Sequence, residues 1–300
     1  MHIASAIAMV RPAAFGYNEE TAVNNYFQHI PEISNSALQQ TVLREFDEMV
    51  AILRANGVNV LVLNDDAEQP KPDAIFPNNW FCCNDNRITI FPMCAVSRRA
   101  EKNPEIIENI KAHTAISDLT DLSFHEKDNI FLEGTGSMVI DHLNRIIYAC
   151  ISPRTNESLL KEFALSNKYE TVIFEAADEQ GREIYHTNVL MCIGDAFAVL
   201  CSKAINNKDR AGVIRTLADT GHEIIEIDFN QMNSFAGNML QLVNDKNEKL
   251  LVLSKTAHNS LTLAQIKKLE KYCKLIVPDV SEIERAAGGS VRCMMAELFY

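Results

Sequence analysis

Apolar and polar positions along the chain follow one pattern several times over. Five segments, "IFPNNWFCCNDNRITIFPM", "LEGTGSMVIDHLNRIIYACIS", "YHTNVLMCIGDAFAVLCS", "FAGNMLQLVNDKNEKLLVLS" and "GGSVRCMMAELFY", each run from a corner rich in Gly, Asn or Thr into an apolar stretch. The first four then turn through Asn, Asp or Gly into a second apolar stretch, which predicts a hairpin in each. Trp80, Ser137, Val189, Met239 and Arg292 hold equivalent places, spaced 57, 52, 50 and 53 residues apart. Between hairpins a helix and a single strand recur. The strongest helix signal is "SALQQTVLREFDEMVAILRANG", in which Leu38, Val42, Phe46, Met49 and Leu53 form one apolar stripe and Gly57 supplies the stop. "VNVLVL" follows as a strand, and weaker copies of the pair are "PEIIENIKAH" with "TAISDL", "NESLLKEFALS" with "TVIFEA", "RAGVIRTLADTG" with "EIIEID", and "TLAQIKKLEKYC" with "KLIVPD".

A module of roughly 50 residues cannot bury both its sheet and its helix alone, so five strand-strand-helix-strand modules imply a closed α/β ring. Closure requires "HIASAIAMVRP" to pair beside "SVRCMMAEL", an arrangement expected to put Cys293 on an inner strand. No Pro-, Gly- or Ser-rich linker divides the chain, so residues 1–300 read as a single domain.

With 300 residues, 47% hydrophobic and 23% charged, the chain can bury a large core, which excludes the disordered and collagen-like classes. No apolar run approaches the roughly 20 residues of a membrane span, and "IASAIAMV" follows Met1 and His2 without a basic leader. The expected location is the cytoplasm. Eight cysteines without a C-x-x-C pair agree with this, since Cys82, Cys83, Cys150, Cys192 and Cys201 lie inside apolar runs as reduced thiols. A net charge of −12 without a long basic cluster argues against nucleic acid or an anionic membrane as partner. A small molecule is the expected partner, and the oligomeric state stays open, with a homodimer as one option.

Cys293 stands out among the cysteines because Gly288 and Gly289 permit a close backbone approach and Arg292 beside it would favour the thiolate. Cys94, Cys192 and Cys273 lack that setting. "GTGSMV" suggests a phosphate loop, but Val139 stands where the third glycine belongs and no G-K-[ST] follows.

The wording "MVRPAAFGYNEETAVNN", "PDAIFPNNWF", "LEGTGSMV" and "YHTNVLM", together with the fivefold repeat, resembles the pentein superfamily over the whole chain. That superfamily is the five-bladed α/β-propeller of arginine deiminases, dimethylarginine dimethylaminohydrolases and amidinotransferases, and the wording is most similar to its citrulline-utilisation hydrolase branch. The resemblance implies pseudo-fivefold symmetry and a central funnel on which the corners converge. It implies Cys293 as the nucleophile that attacks a guanidine or urea carbon. His186 in "EIYHTNVL" matches the family's acid/base histidine, and Glu133 in "FLEGTGSMV" its E-G-G carboxylate, which holds the histidine or a substrate nitrogen. Arg98 and Arg99 in "VSRRAEK" and Arg154 in "ISPRTNESLL" resemble stretches that hold a substrate α-carboxylate, a task suited to a guanidinium fork. Between Arg98 and Arg99 the resemblance does not choose.

The departures bear on the substrate. Asn79 and Asn188 stand where arginine deiminases place two aspartates on the guanidinium, while Asp73 in "PDAIF" matches a separate family acid. A buried guanidinium needs carboxylates; a neutral ureido group presents both a carbonyl acceptor and N–H donors, which asparagine can answer. The leading expectation is a hydrolase converting citrulline to ornithine, ammonia and carbon dioxide, with no metal or other cofactor. The alternatives are a deiminase or dihydrolase of arginine, agmatine or dimethylarginine, an amidinotransferase, and, outside enzymes, a binding pseudoenzyme such as the translation anti-association factor that shares the ring fold. "AAFGYNEETAVNNYF" is expected to form a loop over the funnel, with Asn24 and Asn25 as contacts.

Overall fold

A computed structural model describes residues 2–299. The fold is mixed α/β. Its strands are β1 (Ala6–Arg11), β2 (Asn59–Asn64), β3 (Phe81–Asn84), β4 (Arg87–Ile90), β5 (Asp118–Asp121), β6 (Val139–Asp141), β7 (Ile146–Cys150), β8 (Glu170–Phe174), β9 (Met191–Ile193), β10 (Phe197–Leu200), β11 (Glu223–Glu226), β12 (Leu240–Val243), β13 (Lys249–Val252), β14 (Lys274–Ile276) and β15 (Ala296–Leu298). The helices that matter here are α1 (Asn35–Ala55), α2 (Pro104–His113), α3 (Glu157–Ser166), α4 (Asn207–Asp219), α5 (Leu263–Glu270) and α6 (Ser281–Ala287).

One pairing rule recurs: two antiparallel strands, with the second parallel to a third that follows a helix. It holds for β3-β4-β5, β6-β7-β8, β9-β10-β11 and β12-β13-β14. The chain ends build the same unit, because β15 lies antiparallel to β1 with Ala6 opposite Leu298, and β1 runs parallel to β2. Pairing of the two ends is thus as expected. Cys293, however, is not on a strand; it lies in the turn before β15, where its N–H donates to Ser290 O at 2.9 Å. The described strands form four sheets, because Leu298 pairs with Cys83 and joins two units into one six-stranded sheet, β2-β1-β15-β3-β4-β5.

Local chemistry explains the elements. Each long helix opens on a side-chain cap: Ser34, Asn103, Asn156, Asn206 and Thr262 accept a backbone N–H of the first turn. Leu38, Val42, Phe46, Met49 and Leu53 of α1 are all 0% exposed, so the stripe faces the core, and truncating Phe46 to Ala would destabilise by about 3–5 kcal/mol. The β3–β4 hairpin turns on Asp85 and Asn86, both at positive φ (47° and 61°), as a two-residue type I′ loop requires. Among the described residues no helix is long and apolar enough to cross a membrane.

The corners that precede β3, β6 and β9 are single turns of 3-10 or α-helix, Pro77–Asn79, Gly134–Ser137 and Thr187–Leu190. They pack so closely that glycine is needed. A Cβ on Gly134, at φ +45°, would lie 2.3 Å from Asn78 O, and one on Gly237 would lie 2.3 Å from Val189 O. Corner meets corner, and the residues they carry share one centre.

Candidate active site

The carboxylate of Glu133, 0% exposed, is fixed by three neighbours: Cys94 N–H donates to Oε1 at 3.0 Å, His186 Nε2 donates to Oε2 at 2.8 Å, and Arg154 Nη1 lies 3.6 Å away. Burial alone would raise its pKa, but Arg154, His186 and Arg98 outweigh burial and hold it down at about 2. The same burial pushes His186 down to about 4 despite Glu133, so the resting imidazole is neutral. With its Nε2 proton committed to Glu133, its basic nitrogen is Nδ1. A Cβ on Gly136 would lie 2.7 Å from that Nδ1 and 2.5 Å from Asn79 Nδ2, so the glycine is what lets these two groups reach the centre.

Cys293, 7% exposed, receives two amide donors at Sγ, Asn238 Nδ2 at 3.3 Å and Asn188 Nδ2 at 3.5 Å. Asn238 is itself locked by Asn188 O and by the N–H of Arg292. Arg292 does not attend the sulfur as expected: its guanidinium turns away to Met295 O at 2.9 Å and Glu297 at 2.8 Å. Stabilisation of negative charge on Sγ therefore falls to the two amides. Gly289 fits closely too, since a Cβ there would sit 2.7 Å from the Phe76 ring.

Arg98, 3% exposed, is engaged almost completely. It holds Glu101 through two parallel bonds of 2.8 Å, donates to Phe76 O at 3.2 Å, and donates to Asn79 Oδ1 at 2.7 Å. A guanidinium only donates, so the Asn79 oxygen must face it, and Asn79 Nδ2 is left buried without a partner. Asp73 Oδ1 and Asn188 Oδ1 are likewise buried and unpartnered. Burial, opposed by Arg98, raises the Asp73 carboxyl above its ordinary value. Arg99 is a correction: it lies outside the cavity, on Met93 O and Cys94 O, because neighbouring residues of a helical turn point in different directions.

Cys293, His186, Asp73, Asn79, Arg98 and Arg154 line one cavity, with Glu133 behind His186 and Asn188 behind Cys293. The cavity leaves about 20 Å³, room for a single water. Its roof is the N-terminal segment. Asn18 and Thr21 donate to Asp73 Oδ2 at 2.8 and 3.3 Å, Asn25 donates to Ala287 O, and Thr21 O and Asn24 Oδ1 occupy the donors of Arg154. The expected loop contacts at Asn24 and Asn25 are present, made to the walls of the site. Among the described residues no group of three or more His, Cys, Asp or Glu side chains could hold a metal ion.

Asn238 and Tyr185 are the site residues that sequence reasoning missed. Asn238 carried a signal, since it immediately precedes Met239 as Asn79 precedes Trp80 and Asn188 precedes Val189. Tyr185, which shares the cavity wall, carried none.

Comparison with known proteins gives these features a family. The apo structure of ArgZ, an arginine dihydrolase from the ornithine-ammonia cycle in cyanobacteria, superposes with a TM-score of 0.76 at 16% identity, covering 98% of this chain and 40% of that one. The chain thus spans less than half of full-length ArgZ. It covers 97% of the substrate-bound N-terminal domain of ArgZ, and 98% of this chain is aligned there at 15% identity and a TM-score of 0.75. DDAH from Pseudomonas aeruginosa, a cysteine mutant complexed with citrulline, aligns with 99% of this chain and 100% of its own at 16% identity and a TM-score of 0.67. At such identities the likeness is one of fold. No curated protein matches. The family model for eukaryotic N,N dimethylarginine dimethylhydrolase matches residues 11–300, and on that match over nearly its whole length the chain belongs to this family of carbon–nitrogen hydrolases in the pentein superfamily.

Proposed function

We propose that residues 1–300 form a single five-bladed α/β-propeller that hydrolyses a ureido carbon–nitrogen bond, with citrulline as substrate and ornithine, ammonia and carbon dioxide as products. The observation that carries the substrate choice is the orientation of Asn79. Arg98 takes its oxygen, so the free atom is a buried N–H donor suited to a carbonyl oxygen and unsuited to a guanidinium, which has no acceptor. Arg154 receives the α-carboxylate once Asn24 and Thr21 release its fork.

In the proposed reaction Cys293 Sγ attacks the ureido carbon while its proton passes to neutral His186 Nδ1. The imidazolium, held by Glu133 at Nε2, protonates the departing δ-nitrogen, and the C–N bond breaks to release ornithine. A carbamoyl thioester remains on Cys293. His186 then takes a proton from water, whose oxygen attacks the thioester carbon; the C–S bond breaks and the proton returns to sulfur. Carbamic acid leaves and decomposes to ammonia and carbon dioxide.

A second reading, arginine dihydrolysis, is favoured by one observation: Asp73 keeps a buried carboxylate oxygen without a partner, available to a cation. The test is incubation with citrulline, arginine, agmatine and dimethylarginine, measuring ornithine and ammonia separately, with mass spectrometry of quenched protein. Ornithine from citrulline and a carbamoyl adduct on Cys293 support the first reading; turnover of arginine alone selects the second. An inert protein with all four ligands would favour a binding role. The net charge of −12 and the free thiols further fit a cytoplasmic enzyme that takes a small amino acid and engages neither nucleic acid nor membrane, and a homodimer is compatible with this.

A further inference from the structure

Tyr185 is 6% exposed and has a position that neither the family match nor the catalytic steps account for. Its ring lies beneath Arg154, with the guanidinium carbon over the ring at 4.7 Å from the centroid. Its hydroxyl donates to Gly288 O at 3.0 Å, and Phe27 meets its ring edge-on with centroids 6.3 Å apart. The two residues are also tied through the backbone, since Ser152 Oγ donates to Tyr185 O at 2.8 Å and accepts the N–H of Arg154 at 3.1 Å.

A guanidinium forms hydrogen bonds only in its plane, and its faces are free to stack. One in-plane corner of Arg154, Nη1, points toward Glu133, and the opposite edge, Nε and Nη2, forms the fork now filled by Asn24 Oδ1 and Thr21 O. The ring of Tyr185 covers one face of that plane, and the edge-on packing of Phe27 holds the ring in place. We infer that Tyr185 is a positioning residue that fixes the Arg154 fork for an α-carboxylate, and so makes the site selective for α-amino acids over the corresponding amines. The inference rests on the proposed role of Arg154 as carboxylate ligand.

The probes are L-citrulline and N-(4-aminobutyl)urea, the same molecule without its carboxylate, compared by kcat/KM in wild type, Tyr185→Leu, Tyr185→Met and Tyr185→Phe. The ringless variants should lower the citrulline-to-amine ratio about tenfold, through KM for citrulline with little change for the amine, on the scale of a partly desolvated cation–π contact. Tyr185→Phe should hold the ratio within about threefold, because the ring remains. A general packing role would lower both substrates together, and that result overturns the inference, as does an equal loss of ratio in Tyr185→Phe. Arg154→Ala separates the two levels of argument. If it leaves the ratio unchanged, the carboxylate role of Arg154 falls and the inference with it; if it abolishes the ratio while the ringless variants do not, only the role of Tyr185 falls.

Discussion

Replacing Glu133 by Gln keeps shape and volume but removes one charge and one acceptor. Both carboxylate oxygens are in use, Oε1 by Cys94 N–H and Oε2 by His186 Nε2. Glutamine has only one oxygen. If that oxygen faces Cys94, the new NH2 group meets His186 Nε2 and drives the imidazole to the tautomer with its proton on Nδ1, where the base is needed. If it faces His186, a backbone N–H is left opposite a donor, a mismatch of about 1–3 kcal/mol in a buried site. Either way Arg154, 3.6 Å from the carboxylate, loses its countercharge. A loss of about 10³- to 10⁴-fold in kcat is expected, the scale seen when an acid that orients a catalytic histidine becomes an amide. KM should move far less, since Glu133 sits behind His186 and does not line the cavity. The assay is steady-state release of ornithine, with a thermal melt to confirm folding. A folded Glu133→Gln protein that keeps more than about a tenth of the wild-type kcat would refute the orienting role.

Four further predictions test separate parts of the site. Asn79→Asp keeps a partner for Arg98 but removes the free donor, so in a Cys293→Ala background it should shift the citrulline-to-arginine affinity ratio toward arginine by about 2–4 kcal/mol, measured by calorimetry at low salt; an unchanged ratio rejects Asn79 as the ureido reader. Asn188→Asp, by contrast, sets a carboxylate 3.5 Å from Sγ and removes a donor, so alkylation of Cys293 by iodoacetamide at one fixed pH should slow, and an unchanged rate would count against the amide–sulfur contact. Gly136→Ala puts a methyl group within 2.7 Å of His186 Nδ1 and Asn79 Nδ2, so turnover should fall at least about 100-fold in a protein that still folds. The acid limb of kcat/KM should reflect a base held at about 4: activity falls as His186 takes up a proton, so the fall belongs below the usual histidine range, and a midpoint near 6.5 would contradict the burial argument.

Much of the fold was legible because helix caps and stripes are local. The segment "PEIIENIKAH" is α2 residue for residue, and the stripe of α1 is buried as its spacing implies. β5 shows where pattern misleads. The apolar run "TAISDL" suggested a strand over residues 114–119, but β5 occupies Asp118–Asp121, because register with β4, Arg87 opposite Asp118, decides at a sheet edge where polar side chains suffer no burial. The joining of two modules through Leu298 and Cys83 is a single non-local register that no periodicity encodes.

At the site, the legible part was whatever a repeat places at one register. The position just before each aligned corner residue holds Asn79, Gly136, Asn188 and Asn238 in four modules. The structure brings these positions together: two amides meet Cys293 Sγ, one is turned by Arg98, and the glycine leaves space where Asn79 and His186 approach. Arg292 was misjudged for the complementary reason. Adjacent in sequence to Cys293, it exits the same turn in another direction and pairs with Glu297, so nearness along the chain says little about charge at the sulfur. The consequence is chemical. Amides donate to Sγ without adding net charge, so the two groups that meet the nucleophile bring no fixed cation to it. The carboxylates that remain, Glu133 and Asp73, lie on the histidine and under the N-terminal roof. Among the described residues that line the cavity the acid is Asp73, so a substrate carrying a guanidinium would meet compensating charge there by displacing Asn18 and Thr21 or through the oxygen they leave free.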